Sequence, residues 1–158
     1  MKGIHGFDVF DLTAQQKGLN EFSSSGYERY ARVIINTTYG NTGDYENLNF
    51  NIEEITQSDK NELNIFFRDE MQNSFSANGL KLVEWYPLKV EKINGMSCFH
   101  ISYVRQIQDN PVVIVHGYLF QNNDRIYNLT LSYRISESNY WASDFDTILK
   151  SFRITDVR

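Results

Sequence analysis

The residues best suited to nucleophilic chemistry are Cys98 and His100, which stand two positions apart in an alternating apolar segment. A catalytic thiolate needs a base within hydrogen-bonding reach and a third group that orients the base. Residues two apart on a strand share a face, but they lie about 6.5–7 Å apart and their side chains run parallel. We therefore interpret Cys98 as a buried free thiol beside a half-exposed histidine, and we predict no catalytic residue here.

A second pairing joins His100 with His116, which lies in the next apolar segment. A chain reversal near Asp109 would make the two histidines cross-strand neighbours. Two imidazoles without a cysteine or carboxylate at ligand spacing form an incomplete metal site. The sequence therefore predicts no metal site and no cofactor. A metal- or small-ligand-binding protein that uses the His100/His116 face is kept as an alternative.

Other motifs with a known chemistry are missing. Asp44 and Glu46 stand in a Gly/Asn-rich segment, but the acidic and amide residues lack the regular odd spacing and closing glutamate of a calcium loop. The segment 40–43 is not followed by the Lys-Ser/Thr of a phosphate-binding loop. No Gly-x-Ser-x-Gly nucleophile elbow occurs. We therefore expect that the protein is not an enzyme.

Two groups of aromatic residues are candidates for binding a partner. Three punctuate the long loop 39–51, and two precede Pro87 at a strand end; these five are Tyr39, Tyr45, Phe50, Trp85 and Tyr86. Exposed aromatics on loops are a common feature of protein interfaces. The alternative is that they fold back onto the core, which large aromatics usually do. Both outcomes stay open for the loop, whereas burial is favoured for Trp85.

The composition describes one ordinary globular domain, which we assign to residues 1–158. The chain has 158 residues, 41% hydrophobic and 22% charged, with 11 Phe and 10 Tyr. A domain of this length buries roughly 70% of the surface of its unfolded chain, so it needs neither disulfides nor a metal in order to fold. The single cysteine excludes an internal disulfide.

Charge and hydropathy limit the partners. The net charge is −5, and the basic residues are scattered along the chain, as at Lys81, Lys89, Lys92, Arg105, Arg125 and Arg134. No basic stripe emerges, so a nucleic-acid-binding surface is not expected. No apolar run reaches the ~18 residues of a membrane span, and Met1–Phe10 lacks the apolar stretch of a signal peptide. Two localisations follow: cytoplasmic, or periplasmic/exported with the signal removed.

Hydrophobic alternation predicts a run of strands joined by short turns. The first strand is expected at Ile4–Leu12, followed by a loop over 13–26. Further strands are predicted at Tyr27–Thr38, Leu80–Tyr86, Leu88–Ile93, Met96–Ile107, Val112–Gln121 and Ile126–Ile135, with a short terminal strand or tail at Arg153–Asp156. Asn94-Gly95 is the dipeptide preferred in a two-residue type I′ hairpin turn.

Two amphipathic helices complete the pattern. The first, Ser58–Asn78, is capped by Ser58 or Thr56 and carries an apolar stripe made of Leu63, Phe66, Phe67, Met71 and Phe75. The second, from about Ser138 to Ser151, carries the stripe Trp141, Phe145, Ile148, Leu149 and Phe152. Because Val112–Gln121 is apolar on both faces, it needs a cover on each side. The predicted fold class is α+β: a single-domain, three-layer α/β/α sandwich around a central, mostly antiparallel meander sheet.

The second half of the chain resembles the PsbP-like superfamily. The resemblance covers about residues 27–154, the predicted core, and leaves 1–26 as a short strand plus loop. It is carried by Ile93-Asn94-Gly95-Met96, the strand ending in Tyr103, Tyr118–Phe120, Ile126–Tyr133 and Phe145–Phe152. The superfamily includes the PsbP extrinsic subunits of photosystem II, the bacterial DcrB-like proteins and a eukaryotic Ran-binding import factor. These motifs are structural, so no functional residue is carried over to this chain.

The resemblance implies non-catalytic work, because known members bind or stabilise partner proteins. We therefore expect a binding or accessory domain of bacterial type that holds an unknown protein partner, with an exported lipoprotein domain as one form of it. The first alternative is an intracellular chaperone or adaptor for a secreted effector, since some DcrB-like relatives serve type VI secretion in this way. The metal- or small-ligand-binding protein using the His100/His116 face comes last.

Overall fold

The computed structural model describes residues 12–15 and 29–158, which form two helices packed on a six-stranded antiparallel sheet. The strands are β1 (Leu12–Gln15), β2 (Ala31–Tyr39), β3 (Leu80–Ile93), β4 (Met96–Ile107), β5 (Val113–Gln121) and β6 (Arg125–Arg134), and the helices are α1 (Gln57–Ala77) and α2 (Ser138–Ser151). The strand order is β1-β2-β6-β5-β4-β3, so β3 to β6 form a meander. The predicted α+β sandwich is confirmed.

Each face of the sheet carries its own apolar core. On the face covered by α2, here called the α2 face, Phe145 packs with buried residues such as Cys98, Phe120 and Leu129. On the opposite α1 face, the side chains that line up under the helix include Phe99, Ile101, Tyr103, Val113 and Val115. The central strand β5 contributes to both cores, as its two-sided apolar pattern predicts. No helix in the described ranges is long and apolar enough to cross a membrane.

Local capping signals fix both ends of helix α1. Thr56 accepts a hydrogen bond from the Asp59 amide while the Asp59 carboxylate accepts one from the Thr56 amide, forming a capping box. Gly79, at φ +69°, supplies the left-handed residue just past the helix. One member of the predicted stripe was wrong, because Phe66 is 57% exposed. At 100° per residue it falls about 120° from the centre of the sector formed by its four companions.

Strand β3 runs unbroken through Pro87, so the predicted split into two strands was wrong. The pairing of β3 with β4 shifts between Leu82 and Glu84 and again between Tyr86 and Lys89. Because β3 is an edge strand, Pro87 can sit in this irregularity without losing a ladder hydrogen bond on its free side. The Asn64 side chain on α1 accepts a hydrogen bond from the Leu88 amide at 2.9 Å, which ties the irregular segment to the helix.

The N-terminal end differs from the prediction, whereas the C-terminal end adopts one of the two predicted forms. Leu12–Gln15 pairs with β2, so part of the segment predicted as a loop is an edge strand, whereas the rest of the predicted strand before Leu12 lies outside the described residues. Arg153–Asp156 is the tail that was predicted as the alternative to a strand. The tail is held by Asn122, whose side-chain amide donates to the Asp156 carbonyl and whose side-chain carbonyl accepts from the Arg158 amide.

The long loop after β2 is anchored at both ends. Its first half is tied to the β5–β6 turn, where the Gly40 amide donates to the Asp124 carbonyl and the Tyr45 amide donates to the Asn123 carbonyl. Its second half crosses the end of the sheet, because Leu48 is buried in the core of the α2 face and Phe50 in that of the α1 face. The loop therefore closes one end of both cores.

Replacing Phe145 with Ala tests the core of the α2 face. We expect a loss of about 3–5 kcal/mol in the free energy of unfolding, because a buried ring is replaced by a cavity. Phe66→Ala is the matched control, and its exposed ring should cost less than about 0.5 kcal/mol. Urea unfolding followed by circular dichroism measures both. A loss below about 1 kcal/mol for Phe145→Ala would contradict the sandwich.

Candidate functional site

Three polar side chains on the α2 face form a hydrogen-bonded chain across β3, β4 and β5. Glu91 Oε1 lies 2.7 Å from His100 Nδ1, and His100 Nε2 lies 3.1 Å from His116 Nδ1. Glu91 lies opposite Cys98 in the β3–β4 ladder, and His116 lies opposite Ser102 in the β4–β5 ladder. The two histidines are thus diagonal neighbours, as the predicted chain reversal near Asp109 requires.

The hydrogen-bonded chain sets the tautomer of each imidazole. The Glu91 carboxylate can only accept, so His100 Nδ1 donates to it. In the neutral pair His100 Nε2 then accepts from His116 Nδ1–H, which leaves His116 Nε2 as an unprotonated acceptor. A proton added to the pair would be held best at His100, where it can donate to Glu91 and to His116 at once. The arrangement can therefore present His116 Nε2 as a hydrogen-bond acceptor and can take up one proton at His100.

Burial keeps both imidazoles neutral around pH 7. His100 is only 8% exposed and stacks on Tyr118 with ring centroids 4.3 Å apart. Desolvation lowers the pKa of His100, although the Glu91 carboxylate opposes that shift. Desolvation, together with repulsion from His100 and Lys89, lowers the pKa of His116 to about 4. A cationic pair is thus disfavoured despite the adjacent carboxylate.

His116 opens onto a groove of about 390 Å³ beside β3, which we call the histidine groove. Its lining combines apolar side chains with a lysine, a serine and the end of the histidine chain, and consists of Tyr86, Pro87, Leu88, Lys89, Ser102, Ile114 and His116. Ser102 lies opposite His116 in the β4–β5 ladder, and no hydrogen bond joins the two among the described side chains. Within residues 12–15 and 29–158 no group of three or more His, Cys, Asp or Glu could hold a metal ion.

Cys98 lies on the same face of the sheet as the two histidines and is more deeply buried than His100. Its side chain is completely buried, and burial, with the nearby Glu91 carboxylate, raises the pKa of the thiol to about 12. A nucleophilic cysteine requires the opposite shift. The interpretation of Cys98 as a buried free thiol therefore agrees with its surroundings, whereas the prediction of a half-exposed His100 was wrong, because His100 is only 8% exposed.

The five aromatic residues proposed for partner binding lie in three separate places. Tyr39 and Tyr45 lie at the sheet end closed by the long loop, both half-buried, with the Arg125 guanidinium 5.0 Å from the Tyr39 ring centroid. Phe50 is 8% exposed and stacks on Phe99 within the core of the α1 face. Phe50 therefore offers no exposed ring to a partner, because the loop that carries it turns inward to close the core.

Trp85 and Tyr86 point to opposite faces of β3. Trp85 stacks on Tyr103 with the ring planes 5° apart, and its Nε1 donates to Asn64 Oδ1 at 2.9 Å. The burial favoured for Trp85 thus matches its position under α1. Tyr86 lines the histidine groove, and its hydroxyl donates to Glu84. Of the five residues, only Tyr86 lines this groove, so it is the best-placed candidate for partner binding.

The sequence analysis did not predict Glu91 or Lys89 beside the histidine pair, although the Asn94-Gly95 turn indicates their positions. The two-residue Asn94-Gly95 turn pairs Ile93 with Met96, as observed, and Asn94 and Gly95 both have positive φ. Counting back along the ladder then puts Glu91 opposite Cys98 and Lys89 opposite His100. A carboxylate beside the histidine pair was therefore predictable once the turn type was accepted.

The burial of Cys98 is testable with a thiol reagent. In the native protein at pH 8, iodoacetamide should modify Cys98 at a rate limited by unfolding, because the side chain is completely buried; the raised pKa of the thiol, which lowers its thiolate fraction, acts in the same direction. Mass spectrometry of a time course, with the urea-unfolded protein as control, measures the two rates. Equal rates in the native and the unfolded protein would show a reactive, accessible thiol.

The depressed pKa of His116 predicts a loss of stability in mild acid. His116 binds a proton near pH 6.5 in the unfolded chain but only near pH 4 in the folded protein. Between these two values the unfolded chain holds the extra proton, so the free energy of unfolding is unaffected above pH 6.5 and falls as the pH drops below it. We expect the free energy of unfolding to fall by about 2 kcal/mol more in the native protein than in His116→Gln between pH 7.5 and 5.

Urea unfolding at each pH measures this difference. The groups facing His116 are Glu91 and Lys89 from β3, His100 from β4, Tyr118 from β5, Tyr133 from β6 and Asp146 from α2. All of them remain in the variant, so the difference between the two profiles reports the His116 imidazole together with its effect on the hydrogen-bonded His100. Parallel pH profiles for the two proteins would rule out a buried neutral His116.

No protein-family model matches the chain, and no curated protein matches its sequence. Among solved structures, it is similar to a protein of unknown function from Pseudomonas aeruginosa, provisionally described as a regulator, with a TM-score of 0.56 and 11% identity over 96% of this chain and 87% of that one. It is also similar to the cyanobacterial PsbP of Synechocystis, CyanoP, with a TM-score of 0.50 and 15% identity over 91% and 81% of the two chains. At such identities the likeness shows the fold alone. The chain has a PsbP-like fold, as the resemblance of its second half implied.

Proposed function

We propose that this protein is a non-enzymatic accessory domain of bacterial type that holds a protein partner in the histidine groove. The observation that carries the proposal is the groove itself, in which half-buried Tyr86 and Ile114 lie beside exposed Lys89 on rigid strands. An aromatic ring, an aliphatic floor and a charged rim are the usual composition of a protein-binding patch.

The chemistry around the groove supports binding rather than catalysis. The one thiol is buried with its pKa raised to about 12, and Ser102 is not hydrogen-bonded to the histidine next to it. The Glu91–His100–His116 chain ends in an acceptor at His116, which can receive a hydrogen bond from a partner. A preformed acceptor at the end of a fixed network adds specificity, because a partner without a matching donor would leave it unsatisfied.

The edge strand β3 supplies a second element of the proposed surface. Its side chains next to the groove include exposed Lys89, with Lys81 and Lys92 also exposed along the same strand. The irregular pairing around Pro87 discourages indiscriminate strand addition at this edge. We expect the partner to place an apolar side chain in the groove and an acidic group near Lys89.

The PsbP-like fold supports an accessory role, since known members of the superfamily bind or stabilise other proteins. The same fold is compatible with the first alternative, an intracellular chaperone or adaptor for an effector, which differs in compartment and in the partner held. The alternative of a metal- or small-ligand-binding protein rests on the facing nitrogens of His100 and His116. Two nitrogen donors are fewer than the three or four protein ligands of a usual zinc site.

Photo-crosslinking in cells of the native host tests the protein-partner proposal. A benzophenone amino acid at Tyr86 should give a discrete adduct with one protein, whereas the same group at exposed Phe66 on α1 should not. Mass spectrometry of the adduct identifies the partner, and its identity separates a secreted effector from an envelope protein.

A competition experiment ties the adduct to the groove. Excess unlabelled native protein should abolish the crosslink, while excess Ile114→Asp, checked for folding by circular dichroism, should compete at least about 10-fold less well, because a carboxylate in an apolar floor costs binding energy. Equal crosslinking from positions 86 and 66, or equal competition by the two proteins, would count against the proposed surface.

A further inference from the structure

Three arginines gather on the α1 face at the end of the sheet opposite the long loop, and each comes from a different strand. Arg32 on β2, Arg105 on β4 and Arg134 on β6 line one groove of about 290 Å³, called here the arginine groove, whose walls also include Tyr30, Ile107 and Pro111. The register explains the gathering, because Arg105 and Arg134 both lie opposite Val113 on β5. Strands two apart are separated by about 10 Å, within reach of two long side chains.

The described residues provide no carboxylate partner for these three guanidinium groups. The arginines that do form salt bridges are Arg68, Arg125 and Arg158, all paired with aspartates elsewhere. Arg105 Nη2 donates to the Tyr30 hydroxyl at 3.1 Å, and the Arg32 guanidinium lies 5.4 Å from the Tyr30 ring centroid. Arg32 Nε is buried without a hydrogen-bond partner, although buried donors are rarely left unpaired.

We propose that the arginine groove binds a phosphoryl group, carried either by a small soluble molecule or by a lipid headgroup. Guanidinium groups present planar forks of donors that match phosphate oxygens, and three of them together match a group with two or more negative charges. A monovalent carboxylate would leave most of this positive charge uncompensated. This site is separate from the histidine groove, which lies on the other face of the sheet.

The remaining walls of the groove fit the organic part of such a ligand. Ile107 and Pro111 are exposed and Val113 is buried at the base, so an apolar moiety can pack beside the charged group. A volume of about 290 Å³ lies at the lower end of small-molecule pockets, which favours a compact ligand.

The arrangement has a consequence for stability that a purely structural role would not share. Three like charges around one groove repel each other in the empty protein, so Arg134→Gln, which removes no side-chain hydrogen bond to the described residues, should leave the fold as stable as before or more stable at low salt. Binding of a multivalent anion should stabilise the fold by mass action. Arginines retained for packing would behave in the opposite way, with a loss of stability on substitution.

The test uses inorganic phosphate and pyrophosphate as probes of the intact protein, in a non-phosphate buffer at about 20 mM NaCl. Isothermal titration calorimetry should detect binding of pyrophosphate, with phosphate weaker and acetate weaker still. Arg105→Gln and Arg134→Gln should each weaken pyrophosphate binding about 10-fold or more, because each removes charged hydrogen-bond donors. Arg68→Gln, on the outer surface of α1, should leave it unchanged.

A second arm separates the two sources of the phosphoryl group. Co-sedimentation with phosphatidylcholine vesicles containing phosphatidic acid, against vesicles of phosphatidylcholine alone, reports on a headgroup. Loss of binding in Arg105→Gln and Arg134→Gln, but not in Arg68→Gln, supports the site in either arm and identifies the source by the arm in which binding occurs. Absence of binding in both arms, or binding that the groove variants retain, would overturn the proposal.

Discussion

The register of β4 against its two neighbours is the constraint on which the rest of the molecule depends. Even-numbered residues from Met96 to Val104 face α2, and odd-numbered ones from Phe99 to Arg105 face α1. A slip of one residue would exchange the two sets: it would move His100 into the core of the α1 face, away from Glu91 and His116, and move Phe99 and Tyr103 onto the α2 face. The Asn94-Gly95 turn holds this register, because both residues adopt the positive φ of a tight hairpin.

Both candidate sites follow from that alternation. His100 reaches Glu91 and His116 because the even face of β4 lies between matching positions of β3 and β5. Arg105 points to the other face, where it lies one strand away from Arg134, with Val113 of β5 between them. One strand thus positions a neutral hydrogen-bonded chain on one side of the sheet and a cluster of positive charge on the other. The two grooves share a scaffold but not a chemistry.

The fold accepts costs at these two places that its core would not require. Because the buried imidazoles are neutral in the folded protein, the free energy of unfolding falls in mild acid. The like charges around the arginine groove repel each other. Other polar side chains stabilise the fold: Asn64 accepts hydrogen bonds from Trp85 and from the backbone beside Pro87, and Asn122 holds the C-terminal tail. Binding of a ligand or partner at the grooves would offset the costs there by mass action.

The sequence by itself determined the local elements, since periodicity, caps and turn dipeptides act over a few residues. It predicted α2, the Asn94-Gly95 hairpin, the two-sided β5 and the buried Cys98. It could not place Phe66, whose exposure depends on which helical sector meets the sheet, nor the inward turn of Phe50, which depends on how the loop closes two cores. Only the tertiary structure assembled the arginine groove: Arg32, Arg105 and Arg134 look scattered along the chain, and the strand order and the register together bring them to one groove. Contacts between distant strands are decided by packing of the whole sheet, which no local pattern encodes.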